Sequence, residues 1–412
     1  MYRRTISRST PRFLIAGLAL FLAGVSAAAT FTVDSTIDAS DAIPGNGICS
    51  DGAGHCTLRA AIQEANSASA ASTNVINVPP GTYVTTSILL VNKVDAAKDL
   101  SIIGTGPAGG VIVDASGGNA HGVFIVAGGG LTSMTNLTIQ NGSTSTGGAV
   151  TVGDANLDIA LCVIRDNHAS IDGGGVYLNH NNAALKIDRS TVSHNIAAGN
   201  AGGIDIRFGT ANISNSAIIN NQAGASMFDG GGIVNAATLA ISNSTVSGNS
   251  AKYGGGISSS DNTGTASSTI TNVTISGNSA QQQLNSLAGL VTVQSSIIAN
   301  PIGGTNCLGT INSLGHNLES AATCSFIAMG DINNSDPLLA QLASNGSPIL
   351  THALLPGSPA LDHGINPLGF KTDQRGTGFP RVVGADIDIG AFEGVQVDKV
   401  FVNGFEIPVP GN

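Results

Sequence analysis

The chain has 412 residues, of which 42% are hydrophobic and only 10% charged, with 55 glycines, no Trp and a formal net charge of −10. Four of its 16 basic residues, Arg3, Arg4, Arg8 and Arg12, precede the apolar run Phe13 to Val25 and the small residues Ser26 to Ala29, so that beyond residue 29 the balance is 12 basic against 26 acidic residues, a net charge of −14. Such a surface repels phosphate backbones and anionic lipid, which argues against nucleic acid as a partner, and the apolar content is too high for a disordered chain.

In chain order, residues 1–29 read as a secretory signal peptide, because the apolar run is shorter than the ~20 residues of a spanning helix and ends in an A-x-A pattern. No later segment is long and apolar enough to span a membrane. Residues 30–73 read as an N-terminal cap. Leu58, Ala61, Ile62 and Ala65 fall at i, i+3, i+4 and i+7, the stripe of a short amphipathic helix. Cys49 and Cys56 are expected to pair in the oxidising environment of an exported protein, as are Cys307 and Cys324 further on. Cys162, within Ile159-Ala160-Leu161-Cys162-Val163-Ile164, is left as a buried, unreactive thiol. Asp34, Asp38, Asp41 and Asp51 read as solvated loop acids.

Residues 74–300 carry a repeat. Its marks are Ile164…Asn167…Ala169, Val192…Asn195…Ala197, Ile218…Asn221…Ala223, Val246…Asn249…Ala251 and Ile275…Asn278…Ala280, with asparagines 28, 26, 28 and 29 residues apart. Each unit reaches a glycine cluster and an aliphatic residue, as in Gly173-Gly174-Gly175-Val176 and Gly202-Gly203-Ile204. Between the marks lie short runs of period-2 alternation and no helix-length segment, which predicts a solenoid coil of about three short strands stacked at the ~4.8 Å inter-strand spacing. Glycine and Asn are expected to supply positive φ at the corners, and equivalent asparagines to stack as an amide ladder. After Asn278 the repeat decays, with Ala288-Gly289-Leu290 in place of the glycine cluster and Ile297…Asn300 as the last coil. Residues 301–394 read as a C-terminal module closing the far end, followed by a tail, 395–412, that contains Val400 to Glu406.

The segment Cys56-Thr57-Leu58-Arg59-Ala60-Ala61-Ile62-Gln63-Glu64-Ala65-Asn66, followed by Val75 to Tyr83, resembles the CSLREA domain that opens many exported bacterial β-helix proteins, with Thr57 and Ala60 departing from the family's Ser and Glu. The glycine repeats resemble those of the polymorphic outer membrane protein family, with Val or Ile replacing the family's Phe. Ser335-Asp336-Pro337-Leu338-Leu339, Leu354 to Asp362, and Asp373-Gln374-Arg375-Gly376 through Asp388 to Glu393 resemble the choice-of-anchor Q domain. Together these resemblances imply an all-β, right-handed parallel β-helix of the pectin-lyase-like fold, with a short N-terminal capping helix and a small C-terminal β module. They imply export to the extracellular space, or to the cell surface or outer membrane of a Gram-negative bacterium.

No catalytic set stands out. A lyase of this fold class would need carboxylates on adjacent coils holding Ca²⁺ and a base placed against a uronate, and a hydrolase a pair of carboxylates at fixed separation. The outward positions after the glycine clusters are instead Tyr177 and Asn179, then Asp205 and Arg207, then Ser258 and Ser260. Tyr177, Asn179, Asp205 and Arg207 are therefore candidate ligand-binding residues, with Asp205 and Arg207 expected to form a surface ion pair. Asp172 and Asp229 are expected to shape turns, and Asp373, Arg375, Arg381, Asp386, Asp388 and Glu393 to form structural ion pairs. The scattered histidines show no metal-ligand spacing, so neither metal nor cofactor is expected. The expected function is presentation of a non-catalytic binding face to an unknown surface, glycan or protein ligand, by a monomer; the alternative is a lyase or hydrolase acting on acidic glycans such as pectin.

Overall fold

The computed structural model describes residues 29–67, 73–93, 99–224, 230–260 and 264–394. The leader, the tail from residue 395 and Asp229 lie outside the described residues. No helix among the described residues is long and apolar enough to cross a membrane.

The period-2 runs form a parallel β-solenoid in which every named ladder is parallel. A repeating coil contains four short segments rather than the expected three. Val176–Leu178, Ala184–Asp188, Thr191–Ser193 and Ile196–Ala197 make one coil, and the next answers with Ile204–Ile206, Thr210–Ser214, Ala217–Ile219 and Gln222–Ala223. The first two positions stack as two ladders of an 18-stranded main sheet, the third as a ten-stranded sheet and the fourth as a four-stranded sheet. Register holds inward residues in columns, such as Leu157, Leu185, Ala211 and Leu239. These columns merge into one continuous aliphatic core.

The repeat marks divide their labour differently from expectation. The motif asparagines do not take positive φ; the residues before them do, as at Asp166 (φ 58°), His194 (φ 55°) and Asn220 (φ 54°). Freed from the corner, the buried motif side chains form the ladder. Each Nδ2 donates to the next coil's Oδ1, from Asn167 to Asn195 (2.9 Å), Asn221, Asn249 and Asn278 (each 3.0 Å). The chain of amides continues through Gln283 and Asn306 to the buried carboxylate of Glu319. Most of the clustered glycines answer to close approach rather than to φ. A methyl group at Gly175 or at Gly232 would sit 2.6 Å from the carbonyl oxygen of the next coil's glycine. A second column runs beside the first, in which the backbone N–H of Cys162, Ser190 and Ser216 donates to the hydroxyl of Ser190, Ser216 and Ser244. Cys162 fills a serine position in this column; its Sγ accepts from Leu137 N at 3.4 Å, and burial pushes the thiol up to about 12.

Ala288-Gly289-Leu290 does not replace the glycine cluster. These residues lie within one long strand, Gln282–Gln294, and Gln282-Gln283 occupy the cluster's place, accepting from Gly255 N and Gly256 N. The ladders run on past Asn300, through Thr305–Ser313 and Leu318–Glu319, to a bridge between Leu318 and Ile332.

At the N-terminal end the helix α1 (Leu58–Ser67) forms as predicted. Thr57 caps it by accepting from Ala60 N, and Leu58, Ala61, Ile62 and Ala65 join the core. The segment 301–394, expected as a module closing the far end, divides: residues 301–334 continue the ladders and close part of that end, and the remainder does not sit there. Residues 335–394 hold three isolated antiparallel bridges and pack along the outer flank of the ten-stranded sheet. Ile349 packs on Ala217 and Ile219, while Ala360 and Ile389 pack on Ile297 and Ala299. Polar bonds fix the register of this docking. Thr245 Oγ1 donates to Gln374 Oε1 (2.6 Å), Asn272 Nδ2 to Ile365 O (2.9 Å) and Ala391 N to Thr274 Oγ1 (3.1 Å). Buried His352 bonds to Ala340 O through Nδ1 and to Ser247 Oγ through Nε2, and burial lowers its pKa.

Candidate functional site

The main sheet brings the four candidate residues together and separates their roles. Tyr177 and Asp205 are direct register partners, and Val234 follows them in the same outward column. Asn179 and Arg207 continue the ladder one step beyond the strands, donating their backbone N–H to Val152 O and Leu178 O. Tyr177 is half-buried and its hydroxyl lies 3.4 Å from Asn179 Oδ1.

Asp205 departs from expectation. It is fully buried, neither carboxylate oxygen has a hydrogen-bond partner, and it makes no ion pair with Arg207 among the described residues. The corners of the flanking coils lie close to the outward column, where a methyl at Gly173 would sit 2.9 Å from Tyr177 Cβ and one at Gly230 would sit 3.0 Å from Val234 Cγ2; in the coil of Asp205 the same corner position is held by buried Ala201 at φ 54°. Period-2 reasoning puts Asp205 on the outside of the sheet but says nothing of what else packs against that face. Burial, followed by the charge of Asp172, pushes the Asp205 carboxyl up to about 7 against the opposing pull of Arg207. Burial also raises the Tyr177 phenol. Asp172 ends the strand His168–Asp172, and its Oδ1 accepts from Asn200 N of the next coil at 2.7 Å.

Of the four acids before the helix, Asp34 is exposed as expected, whereas the side chains of Asp38 and Asp41 are buried. Burial works to raise the Asp38 carboxyl, but bonds from Arg59 and Thr86 outweigh it and hold the group below its ordinary range. Asp41 accepts from Ile43 N and Ser50 N. Among the described residues no group of three or more His, Cys, Asp and Glu side chains is arranged to hold a metal ion. In the C-terminal module two of the expected ion pairs form, while Asp386 and Asp388 accept backbone N–H bonds instead, from Ile387 N and from Asp362 N and Gly394 N. Arg375 pairs with buried Asp373 at 2.6 Å between the rings of Phe379 and Phe392, and fully buried Arg381 lies 4.0 Å from Glu393. Both disulfides, Cys49–Cys56 and Cys307–Cys324, are present, which fits an exported protein.

Fold and face together define a parallel β-solenoid with one flank covered by its own C-terminal module. No family model and no curated protein matches the chain. The crystal structure of pectate lyase Pel9A aligns with 90% of this chain and 98% of its own, at 15% identity and a TM-score of 0.49. The solenoid described above stands on its own hydrogen-bond ladders. The CSLREA and choice-of-anchor Q names remain resemblances.

Proposed function

We propose that the protein is exported and acts without catalysis, presenting the uncovered side of its solenoid to an envelope, matrix or host-surface ligand. The observation that carries this reading is the division of the flanks. The module buries the outer face of the later part of the ten-stranded sheet, from Ala217 onward, while the long ladder of the main sheet keeps Asp158, Lys186, Asn212, Ala240 and Thr269 in one outward column, exposed or half-exposed. Beside it, Tyr177, Asn179 and Arg207 supply an aromatic ring, an amide and a guanidinium. A regular, rigid array of this kind suits an extended ligand, because its polar groups are held in place before binding. The test is a binding screen against glycan arrays, extracellular matrix proteins and isolated envelopes, repeated with Arg207→Ala. Retention that weakens in the variant supports the reading; absence of binding across the screen overturns it.

One observation favours a second reading. A buried carboxyl pushed up to about 7 beside an arginine and a tyrosine is an arrangement that catalytic sites use. Incubation with pectin and other acidic polysaccharides, with and without Ca²⁺, would give unsaturated product if the chain is a lyase. A wild-type chain that releases none, in a panel where a control lyase does, removes this reading.

A further inference from the structure

We propose that the C-terminal module is a hinged cover whose hairpin, residues 339–354, lifts its tip from Ala217–Ile219 in mildly acidic medium while its base stays anchored beside Ile297–Ala299. Bridges between Leu339 and Leu354 and between Ala343 and Thr351 define the hairpin. Two separate apolar clusters hold it, and they are unequal. At the base, Leu339 and Leu354 pack with Ile332 around the buried set Ile297, Ala299, Leu318, Ala360 and Ile389. At the tip, Ile349 alone is buried against Ala217 and Ile219, with Leu342 and Leu350 half-buried beside it. The tip's bonds to the adjoining loop are long, 3.2 Å from Gln374 Nε2 to Leu350 O and 3.4 Å from Arg375 Nη1 to Asn345 O. The solenoid also gives up a bond where the module lies. Along one corner Asn215 Nδ2 donates to Asp188 Oδ1 (2.7 Å) and Asn243 Nδ2 to Asn215 Oδ1 (2.8 Å), but Asn272 in the next coil turns to Ile365 O of the module (2.9 Å). Buried Asn243 Oδ1 is left with no hydrogen-bond partner. An acceptor orphaned in this way opposes docking, and lifting the cover admits water to it.

His352 supplies the trigger. Its Nδ1 faces Ala340 O across the hairpin (2.8 Å) and so carries the proton, which leaves Nε2 to accept from Ser247 Oγ of the solenoid (2.9 Å). A second proton on the ring removes that acceptor. No countercharge waits for it, because the hairpin and the strands Ala217–Ile219, Thr245–Ser247 and Thr274–Ser276 contain no Asp, Glu, Lys or Arg, and Asp373 and Arg375 of the adjoining loop pair with each other. Burial accordingly holds the docked ring below its ordinary value of 6.5. Above that value the ring is neutral whether docked or lifted, and docking is at full strength; below it the lifted ring binds a proton that the docked ring refuses, so docking weakens as the pH falls. The interior of the module responds in the opposite sense. Burial raises the carboxyls of Asp388 to about 6 and of Glu393 to about 8, so both favour the folded module in acid. Acid therefore loosens the attachment of the tip and not the module itself.

Thiol labelling of the full chain tests the proposal. Ala217→Cys under the tip and Ala299→Cys at the base, each made singly, are labelled with a maleimide, and each rate is divided by that of exposed Asn212→Cys at the same pH so that thiol ionisation cancels. The ratio for Ala217→Cys should rise at least about tenfold between about pH 7.5 and about pH 5, while that for Ala299→Cys stays low at both. His352→Asn keeps an amide donor for Ala340 O and never takes a charge, and should hold the Ala217→Cys ratio level. His352→Gln is a second neutral replacement, with far-UV circular dichroism as the check that each variant folds. An unchanged ratio in the His352 chain overturns the proposal. So does an equal rise at Ala299, which marks general unfolding, or a rise that survives in both neutral variants.

Discussion

The two ends of the solenoid solve the same problem in unlike ways. At the first, an amphipathic helix seals the core and its side chains finish the exposed backbone, with Asn66 bonding both Leu90 and Asn92, and Arg59 reaching Asp38, Ser87 and Ile88. At the second, a disulfide, one phenylalanine and the carboxylate of Glu319 close part of the cross-section, and no further described strand pairs with Thr305–Ser313. Residues 335–394 lie along the flank instead. The lesson is that one amphipathic helix can cover the core and bond the backbone beside it together, whereas a disulfide-pinned loop covers part of the core and leaves Ile311 half-buried.

The column between the ends supplies the reference for breaking this comparison, and its largest expected effect is a pH dependence. Below the ordinary aspartate value of 3.8 the Asp205 carboxyl is protonated whether the chain is folded or not. Between there and about 7 the folded chain keeps a proton that the unfolded chain has lost, so stability falls as pH rises, and the loss is complete above about 7. Asp205→Asn removes this slope and should be more stable than wild type by about 4 kcal/mol in mildly alkaline urea titrations, with the difference vanishing near pH 4. Parallel curves for the two proteins at all pH values would show that Asp205 finds a partner in solution.

Next in size is the first end. Arg59→Ala leaves the buried Asp38 carboxylate without its bidentate partner and should cost about 3 kcal/mol, read as a lower urea midpoint with an unchanged slope. At the second end, Glu319→Gln puts an amide donor where the pocket supplies only donors, from Asn306, Thr323 and Cys324, and should cost about 2 kcal/mol. If Gln is tolerated without loss, the amide ladder is not directional. Smallest of all, Leu308→Lys should change the stability of the isolated chain by less than about 0.5 kcal/mol, because its side chain already lies in solvent.

Much of the architecture was legible because it repeats. Asparagines at a regular spacing, glycine clusters and period-2 runs specify stacked coils, and the stripe from Leu58 to Ala65 specifies the cap. The amide ladder was legible for the same reason, and its separation from the corner had a signal that spacing alone passes over: the residues just before the motif asparagines, Asp166, His194, Asn220, Gly248 and Gly277, are of the types that most readily take positive φ. The lateral position of the C-terminal module had a signal that period-2 reasoning passes over. Ala217-Ile218-Ile219 and Ile297-Ile298-Ala299 are apolar at successive positions, the mark of a strand buried on both faces. The serine column was equally visible, one residue ahead of each flank strand. The burial of Asp205 was not, because period-2 alternation assigns a side chain to a face of its strand and says nothing of what else packs against that face.

The direction of the amide chain has a consequence for how such a protein changes size. Every internal coil offers a donor toward one neighbour and an acceptor toward the other, so coils are interchangeable parts and one more could be spliced between Asn167 and Asn195 without altering any junction. From Ala217 onward that freedom ends, because the module grips Ala217, Thr245, Thr274 and Ile297 in successive coils and acts as a ruler laid against the stack. Growth in length is thus confined to the part of the molecule that the ruler does not measure.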